Sequence, residues 1–110
     1  KYDISFSISS FEHDGLGRYG DPLDPDGDLK AMENAKSIIH KDGLMLLSIP
    51  SGYDKVVFNL HRVYGEKRTP MLLSKWEKID LFGEHPNMFS NDANGVNGSP
   101  YQPVYVVRNV

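Results

Sequence analysis

Tyr2-Asp3-Ile4-Ser5-Phe6-Ser7-Ile8-Ser9 alternates apolar and polar side chains along its whole length. A period of two is what a strand requires. The next regular signal runs from about Asp28 to His40, where Leu29, Met32, Ala35, Ile38 and Ile39 recur at helical spacing. Asp24, Asp26 and Asp28 crowd its start and Lys36, His40 and Lys41 its end, the arrangement the helix dipole favours. Lys41-Asp42-Gly43 then turns the chain, with Gly43 free to take the left-handed conformation that ends a helix. Leu44-Met45-Leu46-Leu47-Ser48-Ile49 is an apolar run of strand length, expected to be covered on both faces. Strand, helix and buried strand make a βαβ unit with a right-handed crossover, and the fold class is α/β.

Beyond Pro50-Ser51-Gly52 the apolar positions Val56, Val57, Leu60 and Val63 predict one side of a short helix ending at Gly65. Thr69-Pro70 reads as an N-cap followed by proline at the first helical position, opening a helix to Trp76. Glu77 to Phe82 and Val104 to Arg108 are predicted strands. Between them His85 to Gln102 holds four asparagines, two glycines and two prolines, a long irregular connection. No internal repeat is present, and residues 1–110 are read as one domain or the C-terminal part of one.

Composition narrows the function classes. Hydrophobic residues at 39% and charged residues at 25% suit a packed domain rather than a disordered one. Twelve Lys and Arg against fifteen Asp and Glu give a net charge of −3, with no basic run longer than Lys67-Arg68. Nucleic-acid phosphate is therefore not the expected partner. The absence of cysteine removes disulfides, thiolate metal sites and thiol nucleophiles, and is in keeping with a reducing, cytoplasmic setting. No apolar run approaches the roughly 20 residues a membrane-spanning helix needs. Because Lys1 leads almost at once into a strand, we expect further residues upstream.

In an open α/β sheet, ligands bind beyond the carboxyl ends of the parallel strands. Those ends here are Ser9 to Asp14 and Pro50 to Tyr53, expected side by side. The first offers Glu12, His13 and Asp14 as acids, bases or hydrogen-bond acceptors, although polar loop capping would also explain them. Shortly after the second strand, His61, Arg62 and Tyr64 combine a base, a fixed cation and a phenol that could meet one cleft. Capping of a helix end by His61 and Arg62 is the plainer alternative.

Three further patterns are discounted. Gly15-Leu16-Gly17-Arg18-Tyr19-Gly20 spells a phosphate-binding fingerprint, but Asp21-Pro22-Leu23-Asp24-Pro25 interrupts the helix that fingerprint must open. Asp24-Pro25-Asp26-Gly27-Asp28 approximates a calcium loop, yet its glycine falls one place early and Ala35 occupies the twelfth position. Asn97-Gly98-Ser99 is a glycosylation triplet followed at once by Pro100. No compact metal-ligand spacing links His13, Asp14, His61 and His85, so no metal site is assigned.

The segments Tyr2 to His13, Asp28-Leu29-Lys30-Ala31-Met32 and Asp42 to Pro50 together resemble the second half of class I S-adenosylmethionine-dependent methyltransferases. More narrowly, Phe11-Glu12-His13-Asp14-Gly15-Leu16-Gly17-Arg18-Tyr19-Gly20-Asp21-Pro22 and His61-Arg62-Val63-Tyr64-Gly65 are similar to the nematode-rich family called domain of unknown function 268. The likeness covers roughly residues 2 to 83. It implies a partial Rossmann-like methyltransferase sheet, with Tyr2 to Ser9 as the fourth strand, Leu44 to Ile49 as the fifth, and an antiparallel C-terminal strand pair. The glycine-rich turn and ribose-holding acid of that family have no counterpart in this chain. What remains, on the resemblance, is the pocket wall near the methionine part of the cofactor, formed by Ser9, Ser10 and Phe11.

The same resemblance implies a small polar acceptor. Glu12 and His13 are then the first candidate bases and His61 the second, with Asp14, Arg62 and Tyr64 toward the acceptor. A binding module that keeps the fold without catalysis is the alternative, and metal-assisted hydrolysis through His13, Asp14 and His61 a third. Tyr2 to Ser9, lacking a neighbouring strand, would leave an open sheet edge suited to self-association.

Overall fold

The computed structural model describes residues 1–17, 20–57, 61–90 and 101–110. Its elements are β1 (Tyr2–Ile8), α1 (Gly27–Ile38), β2 (Ile39–Ser48), β3 (Lys55–Val57), β4 (His61–Val63), α2 (Arg68–Leu73), β5 (Trp76–Phe82) and β6 (Val104–Asn109). Single 3₁₀ turns occupy Phe11–His13 and Met88–Ser90.

A four-stranded sheet has the order β1-β2-β6-β5. β1 and β2 run parallel through α1, while β6 lies antiparallel to both β2 and β5. The βαβ unit and the C-terminal strand pair are thus as the sequence predicts. On one face, Met45, Leu47, Tyr105 and Val107 pack with Met32, Ala35 and Leu72 from the helices, and Trp76 completes that core. Among the described residues, no element covers the opposite face at β1. Tyr2, Ile4, Phe6 and Ile8 are exposed, and their pairing with Leu44, Leu46 and Ser48 puts half-buried leucines on that same side. The expectation that Leu44 to Ile49 is covered on both faces is corrected: only its Met45 and Leu47 side is packed under a helix.

Four other expectations change. First, the predicted 56–65 helix is instead the antiparallel pair β3 and β4, registering Lys55 with Val63 and Val57 with His61. Val56, Val57 and Val63 are stiff at χ1 and fit an extended backbone better than a helix. Second, no turn separates α1 from β2. β2 starts directly at Ile39 and bulges against β1, with Tyr2 paired to Ile39 but Ile4 to Leu44. Asp42, not Gly43, takes the left-handed conformation at φ 67°.

Third, α2 starts at Arg68, so Thr69 and Pro70 lie inside its first turn and neither Thr69 nor Lys67 caps it. Asp54 does that work from a distance. Its carboxylate accepts the N–H groups of Gly65, Lys67 and Arg68 at 2.8, 2.9 and 2.8 Å, and these bonds hold its pKa low against the opposing effect of burial. Pro70 costs nothing there, since first-turn N–H groups have no partner within a helix. The last change concerns the aspartates before α1. Asp26 stands at the N-cap without a side-chain bond, while Asp24 pairs with Lys30 at 2.6 Å on the surface. The Asn97 triplet falls outside the described residues.

Asp28 is fully buried. Its two oxygens receive Arg68 Nη2 at 2.6 Å and Nε at 3.1 Å, and the Tyr64 hydroxyl at 2.9 Å. Arg62 Nε adds a charge 3.7 Å away. Removing one member of a buried ionic network leaves the others charged and unpaired. Asp28→Ala is expected to lower stability by about 3–5 kcal/mol, read as a fall in the urea midpoint. A fall of less than 1 kcal/mol, as for an ordinary surface pair, would contradict the assignment.

Candidate functional site

The site begins where β1 ends. Ser9 turns the chain with φ 50°; its N–H donates to Ser48 O at 3.0 Å and its hydroxyl to Gln102 Oε1 at 2.8 Å. The 3₁₀ turn Phe11–His13 follows, closed by His13 N–H to Ser10 O and Asp14 N–H to Phe11 O. This turn points Glu12 inward: the residue is 1% exposed and its Oε1 has no hydrogen-bond partner. Burial raises its pKa, opposed by hydrogen bonds from its own backbone and Ser9. His13 stays near the surface, with Nε2 3.9 Å from Glu12 Oε2.

β4 supplies the third member. His61 lies with its ring edge-on to that of His13, centroids 6.1 Å apart and planes at 80°. Its Nε2 is buried without a hydrogen-bond partner. Burial, with His13 and Lys55 nearby, lowers its pKa. The three residues read from sequence as candidate bases are therefore neighbours. Burial favours the uncharged form of each, raising the pKa of the Glu12 carboxyl and lowering that of the His61 imidazole.

Arg62 and Tyr64 stand otherwise than the sequence suggested. Both are buried, and their polar groups are taken up by acceptors within the protein. Arg62 donates to the backbone carbonyls of Asp14, Asp24 and Pro25, and Tyr64 to Asp28. A guanidinium with five fixed donors can span several carbonyls at once. Burial and the nearby Asp28 carboxylate also push the Tyr64 pKa well above its usual value. Asp14 is half-buried, its pKa raised by burial and then by Asp21.

The glycines after His13 serve this same closure. Asp24 N–H donates to Gly15 O at 2.7 Å. A Cβ on Gly15, at φ 81°, would stand 2.2 Å from Asp24 O, and one on Gly27 would stand 2.7 Å from Asp14 O. Gly15 is thus packed closely against backbone, and among the described residues no helix opens on the glycine segment. Among the described residues, no three His, Asp or Glu side chains gather as a metal would require, so His13, Asp14 and His61 do not form such a set.

Of the residues assigned to the cofactor, Ser9 is engaged by Gln102, whereas Ser10 and Phe11 line a groove of about 550 Å³ between β1 and α1. Ser7 borders it too, buried and with an unpartnered hydroxyl. Sequence reading missed Asp28, Arg68, Asp54 and Gln102 as the residues that hold the site. Their long-range partners lie from 11 to 93 positions away, and no local spacing signals them.

Parallel β1 and β2 joined through α1, with β6 between β2 and β5, define a methyltransferase-like α/β fold. The structure is similar to the crystal structure of TehB from Haemophilus influenzae, with a TM-score of 0.60 and 16% identity. The match covers 100% of this chain and 36% of that one, so the chain spans about a third of TehB. The chain belongs to the family described as Caenorhabditis protein of unknown function, DUF268, which matches residues 1–97. No curated protein matches it significantly.

The Glu12 pKa shift has a signed consequence. A carboxyl with a raised folded-state pKa opposes folding as pH climbs from its unfolded value through its folded one. Glu12→Gln is expected to stabilise the fold at pH 7 and to lose that advantage as pH falls toward 4, where both side chains are neutral. Thermal melts across that range test it; a pH-independent difference would contradict it.

Proposed function

We propose that this chain forms the acceptor-side part of an S-adenosylmethionine-dependent methyltransferase domain acting on a small polar molecule. The observation that carries the reading is the convergence of Glu12, His13 and His61 at the end of β1, with Glu12 and His61 shifted in opposite directions. Support for the cofactor comes from the methyltransferase-like fold and from the groove beside Ser10 and Phe11. Bound there, S-adenosylmethionine would supply an electrophilic methyl group on a sulfonium.

The chain's own residues then align the acceptor and take its proton. His13, partly exposed beside the buried carboxyl of Glu12, is the first candidate base. His61, held neutral by burial, is the second. Asp14 faces the acceptor as a hydrogen-bond partner. Arg62 and Tyr64 serve on this reading as positioning residues: Arg62 fixes the Asp14 carbonyl, and Tyr64 the carboxylate beside Arg62.

His13→Ala in the full-length protein tests the assignment. Methyl transfer from S-adenosylmethionine to a panel of small alcohols and amines should fall by about 10²–10⁴-fold, while S-adenosylmethionine affinity stays near that of the unaltered protein. Unchanged turnover would remove His13 from the mechanism. Ligand binding without turnover in the unaltered protein would favour the non-catalytic module.

A further inference from the structure

The residues just before β6 are tied to the ends of both parallel strands. Ser51, shortly beyond β2, gives its N–H to Tyr101 O at 2.7 Å, and the Tyr101 ring stacks on His85 with centroids 4.6 Å apart and planes at 11°. Gln102 follows directly, and its Oε1 accepts the Ser9 hydroxyl at 2.8 Å. That hydroxyl also lies within hydrogen-bonding reach of the Glu12 carboxyl, which is buried with its Oε1 unpartnered. Ser9 thus stands between an exposed amide and a buried acid.

A serine hydroxyl has one proton to give and two lone pairs. While its proton is on Gln102, Ser9 can only accept from Glu12, and a carboxyl group donates only when protonated. An ionised Glu12 would have to draw the Ser9 proton away from Gln102. We propose that Gln102 is a positioning residue of this site, which by engaging the Ser9 proton favours Glu12 as the protonated acid. The consequence for methyl transfer rests on the function proposed above: a carboxylate next to an imidazole favours the protonated ring, so a neutral Glu12 suits His13 as the acceptor of a substrate proton. Other groups act on Glu12 as well. His13 and Asp14 do so from its own segment and Tyr64 from beyond β4, while β4 and α1, packed on the same turn, bring His61, Arg62 and Asp28. The test leaves all of these unchanged.

Carboxyl-carbon NMR of the full-length protein reads the titration midpoint of Glu12 directly, with its signal assigned by the loss seen in Glu12→Gln. Gln102→Leu releases the Ser9 proton to the carboxylate and should lower that midpoint by about half a pH unit. Ser9→Gly suits the turn at φ 50° and removes the hydroxyl; in that background Gln102→Leu should leave the midpoint unmoved. An effect of the apolar leucine itself would raise the midpoint or persist without the hydroxyl. Far-UV circular dichroism establishes that each variant is folded, and Gln102→Met or Ser9→Ala replaces one that is not. A midpoint unchanged or raised by Gln102→Leu, or lowered equally with and without the Ser9 hydroxyl, would overturn the proposal. Because the readout is a titration, its outcome is independent of whether the domain transfers methyl groups.

Discussion

One buried carboxylate organises the part of the molecule where function is sought. Asp28 sits in the first turn of α1, sealed from solvent, and draws Arg68 from α2 and Tyr64 from the end of β4 onto its two oxygens. A lone charge in that position would be prohibitive. With Arg62 close by, the carboxylate becomes the point at which α1, α2 and the β3–β4 hairpin are referred to one another. Arg62 passes that constraint on through its hold on the carbonyls of Asp14, Asp24 and Pro25. This chain of contacts fixes the backbone that precedes and follows the edge-on pair of His13 and His61.

What could be read from the sequence divides along the range of the interactions involved. The alternation of Tyr2 to Ile8 and the spacing of Leu29, Met32 and Ala35 are local patterns, and both elements stand where they predict. Trp76 to Phe82 and Val104 to Asn109 extend the predicted strands by one residue each. The error at Val56 to Val63 arose because four apolar positions fit a helical face as well as an extended one, and tertiary pairing decided between them. Thr69-Pro70 misled for a related reason: the capping carboxylate comes from Asp54, outside the window in which a cap is sought. For the site, Glu12, His13 and His61 were legible as residue types near strand ends. That Arg62 and Tyr64 turn inward was not, because only the position of Asp28 forces it.

The two sheet faces differ sharply. Under α1 and α2 the sheet is packed, while Tyr2, Ile4, Phe6 and Ile8 line the other side in full view of solvent. β1 is also a sheet edge. An alternating apolar strand at an open edge is a surface built to be covered. The groove beside Ser10 and Phe11 opens along the same strand.

The grip of Arg62 has a further meaning for variation. It holds the chain at Asp14 and again at Asp24 and Pro25, and the bond from Asp24 N–H to Gly15 O closes the same neck. Gly15 and Asp24 are therefore fixed together, and the Asp21 carboxylate adds to the closure by accepting the Gly15 N–H at 2.7 Å. Doubling the length of a loop closed in this way adds only about 0.6 kcal/mol of closure entropy. Insertions between Gly17 and Asp21 should therefore leave the neck, and with it the Asp14 carbonyl that Arg62 holds, in place.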